Sequence, residues 1–160
     1  MKNEENKIKK NFNGIISSPY VTTILRIFVG IVFIYASIEK IMSPAYFAGT
    51  IQNYQIIPET TINLVAIILP WLELICGILL LTGIWHQSAA FIVSSMMMIF
   101  IIALSSVILR GLDIECGCFG SGTSANWTRI LEDLFLLAFS LQILFFPKSI
   151  LALENSLSKE

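Results

Sequence analysis

Residues Ile62–Trp85 read INLVAIILPWLELICGILLLTGIW, and after His86–Ser88 the chain resumes as AAFIVSSMMMIFIIALSSVIL over Ala89–Leu109. Each run is long enough to cross a bilayer, which takes about 20 mostly apolar residues. A connection as short as HQS makes the two runs antiparallel neighbours, so this stretch predicts a membrane hairpin. Pro70 predicts a kink in the first run, tolerated where neighbouring helices satisfy the freed carbonyl.

Outward from this hairpin the pattern repeats with more interruptions. On the amino-terminal side, AYFAGTIQNYQIIPETT (45–61) places Phe47, Ile51, Tyr54 and Ile57 at roughly helical spacing, with Gln52, Asn53 and Gln55 in other directions. It is too polar to span and reads as a short amphipathic helix at the interface. Before it, YVTTILRIFVGIVFIYASI (20–38) is broken only by Arg26 and follows a polar, lysine-rich start. No small-residue cleavage site follows this run, and it is longer than a signal-peptide core, so it reads as an uncleaved anchor. On the carboxy-terminal side, Arg110–Asn126 is glycine-rich and aperiodic, and WTRILEDLFLLAFSLQILFFP (127–147) forms a further, slightly amphipathic helix ended by Pro147. The expected fold is all-α: an integral membrane bundle of four transmembrane helices, at about 20–38, 63–85, 89–109 and 127–146, with an interfacial helix between the first two. Tails at 1–19 and 147–160 flank that domain.

Composition agrees. Of 160 residues, 56% are hydrophobic and 13% charged, too few polar groups to cover a water-soluble globule. A net charge of -1 without a basic block argues against nucleic acid as a partner, and membrane lipid is the expected surroundings. Cytoplasmic flanks collect Lys and Arg. Here Lys2, Lys7, Lys9, Lys10, Lys148 and Lys159 flank the two termini, against Lys40, Arg110 and Arg129 on the other side. Both termini are expected in the cytoplasm of a bacterial inner membrane. The segment DIECGCFGSG (113–122) then lies outside, where disulfides persist.

That segment carries two of the three cysteines, Cys116 and Cys118. Asp113 and Glu115 disfavour a thiolate there, whereas Arg129 and the start of the last helix favour it. A bridge between residues two apart closes a very small ring, and departures from relaxed geometry ease reduction. Gly117 relieves backbone strain between them. Three readings follow: redox exchange with Cys116 and Cys118 as the reacting residues, a static loop disulfide or a link to another subunit, and metal binding. Metal ranks last, because two thiolates are an incomplete zinc set and the single histidine, His86, sits on the opposite side of the membrane. Met96–Met98 point in three directions on a helix and read as packing. Cys76 reads as a small buried residue beside Gly77, with a redox relay as the less favoured alternative.

Ionisable residues within apolar spans are costly and mark function by default. Arg26 and Glu73 count to nearly the same depth, so they are expected to pair, either locking helix register or serving a proton or substrate role. Asp133, in the early turns of the last helix, is a candidate partner for Lys40 at the outer mouth. Trp85 and Trp127 fit aromatic belts at opposite faces.

LRIFVGIVFIYASIEKIMSPAYFAGTIQNYQIIP (25–58), LPWLELICGILLLTGI (69–84) and the CGCFG segment together resemble the MauE branch of the DoxX-like family. The matching positions are Arg26, Gly30, Lys40 and Pro44, then Pro70, Glu73, Gly77 and Gly83. The resemblance covers about residues 22–146 and implies a four-helix membrane protein associated with redox and disulfide handling. The family is named for a role in maturing methylamine dehydrogenase. It also implies a thioredoxin-like protein or an exported cysteine-containing protein as partner. The four-helix plan is similar to that of DsbB and vitamin K epoxide reductase, which use Cys-x-x-Cys and a second cysteine pair. With one Cys-x-Cys and a lone Cys76, this chain supplies no support for a quinone, and no cofactor is expected. A non-enzymatic membrane assembly or maturation factor with a structural cysteine pair is the competing class.

Overall fold

The computed structural model describes residues 18–111 and 127–146. Cys116, Cys118, residues 1–17 and residues 147–160 lie outside the described residues. Within them the chain is all-helical, with α1 at Pro19–Met42, α2 at Pro44–Asn53, α3 at Glu59–Thr82, α4 at His86–Leu109 and α5 at Trp127–Phe145.

Local chemistry sets these boundaries. Pro19 and Pro44 occupy first-turn positions, where a missing N–H costs nothing and the fixed φ suits the helix. Gly83 ends α3 in the left-handed region at φ 73°, its N–H donating to the Leu79 carbonyl at 2.9 Å. Trp85 follows at φ 46°, completing a tight turn. His86–Ser88, expected as the connection, instead open α4, and the turn is Gly83–Trp85. The short helix expected over 45–61 is present as α2. Pro70 lies inside a continuous α3.

α1 packs most extensively against α3 and α4 against α5, and further contacts join α3 to α4 and α1 to α5. The α1–α3 seam is fixed by two glycines. A Cβ on Gly30 would stand 3.0 Å from the Gly77 carbonyl oxygen, and one on Gly77 would stand 3.0 Å from the Gly30 carbonyl oxygen and 2.7 Å from Ile34. Such close backbone approach is how membrane helices gain packing where lipid supplies no hydrophobic drive. Along α4–α5, Gln87 donates to the Leu144 carbonyl, Ser94 to Ser140 at 2.8 Å, and Leu104 clusters with Ile130, an antiparallel register throughout.

The apolar surface faces outward. Phe28, Ile31, Ile67, Ile75, Phe91 and Ile102 are exposed, while Arg26, Lys40, Glu73 and Asp133 are buried. This is the reverse of a water-soluble protein. α1, α3 and α4 are each long and apolar enough to cross a membrane, which makes this a membrane protein. α5 has the length, but Arg129, Glu132 and Asp133 crowd its early turns.

Candidate functional site

Three charged side chains from three helices meet inside the molecule. Lys40 comes from the last turn of α1, Glu73 from the middle of α3 and Asp133 from the second turn of α5, exposed by only 6%, 2% and 3%. Lys40 Nζ donates to Glu73 Oε1 at 2.6 Å and to Oε2 at 2.8 Å, a pair closed from water. The ammonium also lies 5.2 Å from the Phe47 ring centroid and 5.4 Å from that of Phe100, within cation–π range. Asp133 faces the same small cavity, of about 20 Å³, whose walls are completed by Phe33, Ala36, Met97 and Phe100. Its Oδ2 is buried and takes no hydrogen bond.

The expected partner of Glu73 was Arg26, and the structure gives it Lys40 instead. The reason is register. With Gly30 against Gly77, Arg26 lies opposite position 81, eight residues or roughly 12 Å along α3 from Glu73. Counting depth from the ends of apolar runs could not show this, because α1 and α3 each extend four residues past the expected ends, to Met42 and Glu59, and the offset between them is set by the glycine contact instead. Arg26 is itself buried, at 1% exposure. Lys40, expected at the outer mouth, is turned inward beneath Phe47. It shares a cavity with Asp133 but bonds Glu73. Arg129 pairs with Glu132 at 2.6 Å on the exposed side of α5.

Cys76 is buried on α3 in the cluster with Val29, Phe33 and Leu80, as a packing residue would be. Among the described residues no group of His, Cys, Asp and Glu is arranged to hold a metal. His86 is buried and its Nδ1 lies 3.2 Å from the Gly83 carbonyl at the turn. Sequence reasoning passed over Phe47 and Phe100 as ligands of a cation, and nothing in an apolar run distinguishes them. It also passed over a polar seam at the other end, where Gln142 Nε2 donates to Thr22 Oγ1 at 3.2 Å and Thr22 to the Phe146 carbonyl at 3.1 Å. The signal there was available: small polar residues inside spans commonly bond across helices.

The family model for methylamine utilisation protein MauE matches residues 18–146. The chain belongs to the MauE family. Methylamine utilisation protein MauE of Paracoccus denitrificans is 31% identical over 128 residues, covering 78% of this chain and 69% of that protein. The protein of the same name from Methylophilus methylotrophus is 31% identical over 151 residues, covering 91% and 80%. No solved structure matches. The MauE match takes in all five helices, the Lys40–Glu73–Asp133 centre and the segment carrying Cys116 and Cys118.

Proposed function

We propose that this MauE-family chain takes part in thiol–disulfide exchange or disulfide formation on extracytoplasmic proteins, through Cys116 and Cys118, within methylamine utilisation. What supports the reading is the family match, whose range includes the Cys-Gly-Cys segment and whose relatives are named for methylamine utilisation. In this proposal α5 is a fourth span beside α1, α3 and α4 in a bacterial inner membrane. Both termini are cytoplasmic, and the chain between Gly111 and Trp127 faces outward.

The exchange step is simple to state. A partner thiolate attacks the Cys116–Cys118 disulfide at Cys116, forming a mixed disulfide and releasing the Cys118 thiol. A second partner thiol then displaces Cys116, leaving the partner oxidised and the pair reduced. The partner is a thioredoxin-like protein or an exported protein rich in cysteine. Replacing Cys118 with Ala removes the intramolecular escape route, so a mixed disulfide on Cys116 is expected to accumulate in oxidising cells and to vanish with reductant. Absence of any adduct, with a pair inert to thiol labelling, would favour the alternative of a non-enzymatic assembly or maturation factor with a structural cysteine pair.

A further inference from the structure

The centre formed by Lys40, Glu73 and Asp133 holds one ammonium for two carboxylates in an apolar interior. Lys40 and Glu73 neutralise each other, which leaves Asp133 as the unmatched group. A lone buried carboxylate is severely penalised and normally takes up a proton or a counter-ion. Among the described residues, the other charges acting on it are Glu132 and Arg129 of its own helix, which are opposite in sign. α4 contributes Met97 and Phe100 to the cavity, α1 adds Phe33 and Ala36 beside Lys40, and α2 adds Phe47 over the ammonium. Arg129 and Glu132 are bound to each other on the exposed side of α5, and Glu39 sits beside Tyr35 on α1.

The cavity adds a second, independent observation. At about 20 Å³ it has room for one water, and among the described residues its polar wall consists of these three side chains, one with an oxygen that lacks any hydrogen bond. Lys40 Nζ spends two directions on Glu73 and retains a third N–H. Its ammonium at the wall also makes the cavity a poor place for a metal cation. We propose that this cavity is a proton-holding site: it takes one water molecule, and one exchangeable proton resides on Asp133, linked through that water to Lys40 and Glu73. The water accepts from Lys40 and from the Asp133 hydroxyl and donates to Glu73, which gives the buried Oδ2 a partner and leaves the centre neutral. The site stands apart from the cysteine chemistry and holds whether or not Cys116 and Cys118 exchange.

Infrared difference spectroscopy of the full chain in lipid nanodiscs tests it. The wild-type protein is expected to show a protonated-carboxyl C=O band that shifts down in D₂O. Asp133→Asn should abolish the band, while the exposed Glu132→Gln leaves it unchanged. Glu73→Gln should abolish it too, because Lys40 then pairs with Asp133 and keeps it ionised. Ala36→Val fills the cavity and is expected to remove a water O–H stretch sensitive to ¹⁸O. A wild-type spectrum without the carboxyl band overturns the proposal, as does a band that survives Asp133→Asn or Glu73→Gln. Persistence of the ¹⁸O-sensitive stretch in Ala36→Val overturns the placement of the water.

Discussion

Lys40 donates to both oxygens of Glu73, and each group offsets the other's cost of leaving water. Breaking such a pair from one side exposes that cost. Lys40→Met is expected to lower stability by about 3–5 kcal/mol, read as unfolding midpoints in detergent micelles. Glu73→Gln should cost less, because Asp133 faces the same cavity and takes Lys40 over. The double variant Lys40→Met, Glu73→Leu removes both charges and should return close to wild type; if it is no better than Lys40→Met, the pair is not what holds this region. At this scale the sequence was informative about which residues matter and silent about which of them meet. Arg26, Lys40, Glu73 and Asp133 all stand out as charges in apolar surroundings, and all four are buried. Pairing depends on sliding one helix along another, and a shift of two turns exchanges one cation for another.

The shift is decided by Gly30 and Gly77, whose backbones meet where α1 crosses α3. A methyl at either position collides with the opposite carbonyl, and at Gly77 also with Ile34. Overpacking of this kind typically costs about 1–3 kcal/mol. Gly77→Ala is expected to fall at the upper end, with Gly30→Ala somewhat milder since part of its clash is with the Leu81 side chain. Thermal midpoints in micelles read both, and a Gly49→Ala control, with open space around its Cβ, should stay near wild type. A Gly77→Ala protein as stable as the control would mean that the seam is not close-packed. The elements themselves were mostly legible: apolar runs gave α1, α3 and α4, and the amphipathic piece gave α2. Their ends were not, since helices outlast their apolar runs where a polar residue such as Lys40 or His86 can turn inward.

Over the described residues as a whole, apolar side chains face outward while Arg26, Lys40, Glu73 and Asp133 lie within, and Trp85 and Trp127 are exposed at opposite ends of the antiparallel α4 and α5. On the proposed orientation, with both termini cytoplasmic, Cys116 is expected to react with a membrane-impermeant thiol reagent in intact, mildly reduced cells. Labelling that requires lysis would reverse the orientation. Membrane character was plain from composition and from two adjacent apolar runs. The status of α5 was harder to read, because the charges in its early turns both lower its apolarity and supply Asp133 to the interior. One tether lies at the carboxy-terminal end of α4. Arg110, just past α4, donates at 3.3 Å to the Tyr54 carbonyl and at 3.3 Å to Gln55 Oε1, and Gln55 itself holds a left-handed φ of 53°. The chain leaving α4 is therefore leashed to the corner between α2 and α3. A load applied to the chain at Gly111 is thus shared between α4 and that corner, with Arg110 as the link.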